Sequence, residues 1–243
     1  MKNIKYLVMS TAFLTSLGLG TSGTFAAEQS YQSNAQIEFE STTDLTLPVD
    51  PGNPDPGNPV DPIDSTDPIG PNIGTQGPLS IDYASSFQFG KQVITSQDMT
   101  YYAETQKFNG NPVEGPNYVQ VTDNRGTEAG WTLSVTQDAQ FESASQKTLD
   151  GAEIELMNAN INTVSNSPIP SQVANNVTLT PTVQQPVVEA TDGEGAGTYV
   201  YRFGTDAVTG AESVALHVPG KTTKYAEQYN TTLTWTLSDT PAN

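Results

Sequence analysis

The chain has 243 residues, with 27 acidic side chains against 9 basic ones, a single histidine and no cysteine. A net charge of −18 offers no basic footprint for nucleic-acid phosphates and no electrostatic attraction to anionic lipid. The lack of cysteine excludes disulfides, thiol catalysis and thiolate metal sites, so stability has to come from a packed core.

Residues 1–26 read as a signal peptide. Lys2 and Lys5 form a positive start, an apolar stretch runs from Tyr6 to about Leu19, and Thr24 and Ala26 occupy the small-residue places before a cleavage site. The apolar stretch is too short and too polar to cross ~30 Å of hydrocarbon, so the chain is expected to be exported and not membrane-embedded. Cleavage after Ala26 removes two basic residues and no acidic one, leaving 7 − 27 = −20. The C-terminal residues show no sorting motif followed by an apolar stretch and a basic tail, so no covalent wall anchor is expected.

Residues 27–47 form a short polar arm. Within it "AQIEFE" predicts one strand, with Ile37 and Phe39 on one face and Glu38 and Glu40 on the other. Such a strand is too small to stand alone and would complete a sheet edge of its own domain or of a partner. Residues 48–76 are rich in Pro, Asp, Gly and Asn, and PGNP occurs at 51–54 and again at 56–59. Fixed φ angles and missing donors predict a stiff, extended, solvated spacer. The same prolines keep its carboxylates from wrapping round a calcium ion.

From residue 77 to 243 the pattern becomes period two. "LSIDY" aligns Leu79, Ile81 and Tyr83, "GWTLSV" aligns Trp131, Leu133 and Val135, and "YVYRF" aligns Tyr199, Tyr201 and Phe203. "SVALHV" and "TLTWTL" continue the alternation, as do the shorter "NYVQVT", "AEIEL" and "NVTLT". Only "SQDMTYYAETQKF" (96–108) departs from it, reading as a helical turn or a long loop. The pattern predicts an all-β domain of about nine to eleven strands, folded as an antiparallel β-sandwich or distorted barrel.

Catalytic chemistry finds little support. A nucleophilic triad would have to use His217, which alternation turns away from Val214, Leu216 and Val218 toward solvent or a sheet edge. One histidine without cysteine argues against a transition-metal site. Neither a GxSxG elbow nor a phosphate-cradling glycine loop is present. Carboxylate pairs for glycan cleavage could be drawn from Asp123 with Glu128 or from Glu104 with Glu114, but chance pairs abound in so acidic a chain. No enzyme activity, cofactor or metal is expected. The two tryptophans can be read as sugar platforms or as core residues, and a leucine two positions on from each matches a core pattern.

Trp131 and Trp235 both begin the word WTLS, and the second lies in "YNTTLTWTLSDTP". Tyr229, Leu233, Trp235, Leu237 and Pro241 thus fall into a Tyr-x-x-x-Leu-x-Trp-x-Leu-x-x-x-Pro arrangement, with Trp131 and Leu133 as an earlier Trp-x-Leu pair. In these motifs, their order and their flanks, the chain resembles the WxL-domain surface proteins of low-GC Gram-positive bacteria. The resemblance implies a protein held non-covalently on the cell wall, binding peptidoglycan or an associated wall glycopolymer and forming complexes with partner surface proteins. It leaves open an adhesive or structural module that binds partner or host proteins and is retained on the wall indirectly. The charge of −20 disfavours direct attraction to polyanionic teichoic acid, which points toward peptidoglycan.

Overall fold

A computed structural model describes residues 29–240. The signal-peptide reading with its cleavage after Ala26, and Pro241, lie outside the described residues. The chain divides into one unit ending at Glu38 and a second from Phe39 to Asn243. The described part of the first, residues 29–38, has no regular secondary structure and is exposed, Ile37 to 76%. Residues 35–40 therefore do not form the strand expected of "AQIEFE". Alternation supplies a face, but without a neighbouring strand the backbone groups gain nothing from extending.

In the second unit the strands are, in chain order, β1 (Pro62–Ile63), β2 (Leu79–Ala84), β3 (Met99–Tyr102), β4 (Gln106–Phe108), β5 (Glu114–Gly115) and β6 (Tyr118–Asp123). They continue as β7 (Trp131–Gln137), β8 (Glu142–Ser143), β9 (Glu153–Leu156), β10 (Ala159–Thr163), β11 (Gln172–Val173) and β12 (Val177–Thr178). Last come β13 (Gln185–Ala190), β14 (Gly197–Phe203), the single helical turn α1 (Ala207–Gly210), β15 (Val214–Val218), β16 (Tyr229–Asn230) and β17 (Leu233–Ser238). Eleven of these strands have three residues or more, and they are the ones that alternation can reveal. The remaining six are two-residue ladders, too short to leave a period in the sequence.

Ten of the longer strands, with the short β11 and β12 at two edges, make three four-stranded antiparallel sheets, ordered β10-β14-β6-β2, β11-β13-β7-β17 and β12-β9-β15-β3. One core joins them. It takes Val119, Val121, Tyr199 and Phe203 from the first sheet, Trp131, Leu133, Val135 and Val188 from the second, and Ile154, Leu156, Val214 and Leu216 from the third. The three small antiparallel sheets share this interior in an all-β fold, and the inward residues are mostly the alternate ones of each strand.

Three further sequence readings need correction. Residues 96–108 are neither helix nor plain loop: they hold β3, which pairs with β15 with Tyr101 opposite Leu216, and β4. The polar residues between the aromatics conceal the alternation there. In β2, Ile81 lies opposite Val121 and Tyr83 opposite Gln120, so Asp82 is a bulge. The extra residue turns the strand, and Tyr83 joins a second core cluster while Leu79 and Ile81 pack on the main one.

The third correction concerns the spacer, which is laid against the β-fold as a strap. Val49 is fully buried with Tyr83, Phe108, Tyr118 and Val200. The Gln120 side chain receives the Val49 N–H at 2.7 Å and donates to the Leu47 carbonyl at 3.0 Å. Arg202 and Asn162 both donate to the Pro51 carbonyl, at 2.8 and 2.9 Å. Further on, β1 pairs with β4, and the Thr75 N–H reaches the Ile81 carbonyl. A proline gives up its donor but keeps its acceptor, so donors from the domain can hold a chain whose composition reads as solvated. Beneath the strap, burial pushes the Asp82 carboxyl up, against hydrogen bonds from Ser80, Thr122 and Gln120 that pull it down.

Candidate functional site

The first Trp-Thr-Leu-Ser word opens β7, an interior strand of its sheet. The turn before it is fixed by Arg125, which grips Asp123 through Nε and Nη2 at 3.0 and 2.8 Å and donates to the Gly130 carbonyl at 2.6 Å. Gly130 has φ +75, and a Cβ there would stand 2.8 Å from the Thr191 carbonyl oxygen, so only glycine lets the chain enter β7 this close to the end of β13. Trp131 is 1% exposed, donates from Nε1 to the Gly195 carbonyl at 2.9 Å, and meets the Tyr199 ring edge-on at 6.1 Å. Gly195 has φ +81, and a Cβ on it would lie 2.5 Å from the indole nitrogen. Leu133, next on the same face, is fully buried.

The second word lies in β17, at the edge of the same sheet and directly beside the first. The strands run antiparallel, with Leu237 opposite Leu133 and Trp235 opposite Val135. Leu233, Trp235 and Leu237 are half-buried and pack on the shared core. Their alternate residues face outward: Ser238 pairs with Thr132, Thr236 with Ser134, and Thr234 with Thr136. Tyr229 sits apart from these, in β16, which pairs with β8. Its hydroxyl accepts the Tyr225 N–H at 3.0 Å.

A family described as WxL domain surface cell wall-binding matches residues 26–241. The chain belongs to the WxL family. No curated protein and no solved structure matches it. The WxL match takes in the Pro-rich strap as well as the β-sheets, in keeping with Val49 and Pro51 being held by Gln120 and Arg202.

The other residues singled out in the WxL chain fall as follows. His217 lies on the solvent side of an interior strand, with Thr100 Oγ1 at 2.9 Å from Nδ1 and Glu155 Oε2 at 2.8 Å from Nε2. This hydrogen-bonded row runs across three strands, β3, β15 and β9, on an open sheet face that gives no enclosure for a substrate. Asp123 is buried in its bidentate pair with Arg125, whereas Glu128 is exposed. Glu104 and Glu114 do share the rim of one open cleft, but Glu104 is salt-bridged to Lys107 at 2.8 Å and Glu114 accepts from the Thr105 hydroxyl. Both carboxylates are exposed, the opposite of the burial that raises a catalytic acid. No helix among the described residues is long and apolar enough to cross a membrane.

Sequence reasoning missed two groups. Gln120 and Asp82 are buried polar residues in strands read only for their apolar alternation, and nothing in the sequence separates them from outward-facing ones. The second group is the cleft lined by Gln146, Lys147, Asp150, Lys221, Thr222 and Tyr225. The run "KTTKY" (221–225) signals it, since it places two lysines and a tyrosine together in a strongly acidic chain.

Proposed function

We propose that this surface protein is exported by removal of residues 1–26 and held on the wall non-covalently, its WxL domain binding peptidoglycan directly. The observation that carries the reading is the family match over residues 26–241, which covers the whole folded unit and both Trp-x-Leu strands. Residues 47–240 act as one body, with the strap inside the domain, and residues 29–45 are exposed. The charge left after removing the first 26 residues is −20, which favours the uncharged glycan and the peptide parts of the wall over teichoic acid. The domain works as a binding module and not as an enzyme.

A second element of the reading is a partner surface protein. Tyr31, Ile37 and Phe39 are 94%, 76% and 85% exposed, an apolar series in an alternating segment that a partner's sheet edge would cover.

Co-sedimentation of residues 27–243 with native walls and with walls stripped of teichoic acid tests both elements. Pelleting with stripped walls, with no muropeptide released, is the expected result. Pelleting only when a partner protein is added would make retention indirect and would replace the first reading with the second.

A further inference from the structure

The cleft lined by Gln146, Lys147, Asp150, Lys221, Thr222 and Tyr225 has a volume of about 440 Å³. Two segments distant in sequence build it. Residues 142–150 come from β8 and the turn after it, and residues 219–230 lead from β15 to β16. They are bound together by the β8–β16 pair, by the Thr222 hydroxyl donating to the Asp150 carbonyl at 2.6 Å, and by the Ser145 hydroxyl donating to Glu227 at 2.6 Å. Lys224 stiffens the second wall from within, its Nζ donating to the carbonyls of Pro219 and Thr222 at 2.9 and 3.0 Å.

Its charge sets this cleft apart. Seven basic residues remain after residue 26, and Lys147, Lys221 and Lys224 are three of them. Elsewhere Lys107 and Arg125 are spent on Glu104 and Asp123, and Arg202 on Asn160 and the strap. No carboxylate among the described residues forms an ion pair with Lys147, Lys221 or Lys224. Asp150 accepts from the Thr148 hydroxyl and Glu227 from Ser145. Over the two wall segments the three lysines balance Glu142, Asp150 and Glu227, but the lining itself carries Lys147 and Lys221 against Asp150 alone, 2 − 1 = +1, in a chain whose net charge is −18.

Two local features mark it further. Lys147 Nζ stands 5.5 Å from the centroid of the Tyr225 ring, which is 45% exposed, so cation and aromatic face are presented side by side. Gln146 holds φ +62 at the tip of the turn, a strained conformation for a residue with a Cβ, and it lines the cleft.

We propose that this cleft is an anion-binding subsite, in which Lys147 and Lys221 receive an anionic oxygen group of the wall polymer while Tyr225 and Gln146 contact the adjoining sugar or peptide. A carboxylate of the peptidoglycan stem and a phosphodiester of a wall glycopolymer share that chemistry. The identity of the ligand as wall polymer rests on the reading under Proposed function, whereas the preference for anions rests on the cleft alone.

Titrating ¹⁵N-labelled residues 27–243 with N-acetylmuramyl dipeptide and, separately, with inorganic phosphate tests the site. The expected result is amide shifts at residues 146–148 and 221–225, with the tighter-binding probe naming the source. Lys147→Gln with Lys221→Gln should weaken the affinity about tenfold while the rest of the spectrum holds, and Lys91→Gln should leave it unchanged. Shifts elsewhere, or none with either probe, would overturn the subsite, as would wild-type affinity in the double variant. Shifts at the cleft without pelleting on any wall would leave the subsite standing and reject wall binding. Pelleting that survives the double variant, with no shifts at the cleft, would do the reverse.

Discussion

The two Trp-Thr-Leu-Ser words lie side by side in one sheet, yet they do not have the same surroundings. The first starts an interior strand, with β13 on one side and β17 on the other, and its tryptophan is sealed and hydrogen-bonded. The second is on the edge strand, and its tryptophan is half-buried. Identical words thus serve as a core keystone and as an edge closure. What they share is the alternation itself: apolar residues point inward, and run antiparallel the words set hydroxyl opposite hydroxyl on the outer face, Thr132 with Ser238 and Ser134 with Thr236. A repeated motif need not mean a repeated job.

Truncating each tryptophan would break or uphold this contrast most directly. Trp131→Ala removes a fully buried ring and should cost ~3–5 kcal/mol. Trp235→Ala removes a half-buried one and should cost ~1–2 kcal/mol. Urea unfolding of residues 27–243 measures both. Equal losses would mean that the edge position offers Trp235 no relief, and the distinction between the two strands would fall.

A sharper version uses the glycine over the first indole. Gly195→Ala has to strain φ +81 and push a methyl to within 2.5 Å of Trp131 Nε1, for ~2–3 kcal/mol. Trp131→Phe deletes the crowded edge of the indole, so the double variant Gly195→Ala/Trp131→Phe should fall short of the sum of its parts. Gly195→Ala with Trp235→Phe should be additive, because the second tryptophan lies away from that glycine. Non-additivity in both pairs would show that the two words are energetically one unit.

The strands of this fold were legible wherever large apolar residues alternate along one face, as in Trp131-Leu133-Val135 and Tyr199-Tyr201-Phe203. Alternation failed at β2, where one bulged residue, Asp82, moves Tyr83 to another cluster, since a bulge leaves no trace in residue type. It failed more widely over residues 48–76. Proline content reports what a segment cannot donate, and the strap is held by what it accepts from Arg202, Asn162 and Gln120. Those donors are 73 residues or more from the carbonyls they reach, so no local window contains both halves of the interaction. The described motif positions fall on β7, β16 and β17, whereas the lysine cleft depends on β8 meeting β16, a two-residue pairing with no sequence signature.

The smallest expected effect joins the distal word to that cleft. Tyr229 stands in the motif but outside both Trp strands, and its hydroxyl accepts the Tyr225 N–H at 3.0 Å. Tyr229→Phe deletes that acceptor and leaves the ring in place. The freed N–H is at an exposed residue and can turn to water, so the stability cost should be below ~1 kcal/mol. Hydrogen exchange at Tyr225 should nevertheless accelerate several-fold, and anion affinity at the cleft should fall by more than the melting temperature implies, because Tyr225 positions the ring beside Lys147. Unchanged exchange at Tyr225 would show that β16 holds this segment without the hydroxyl. The motif tyrosine would then serve packing alone, and the distal word would have no part in shaping the cleft.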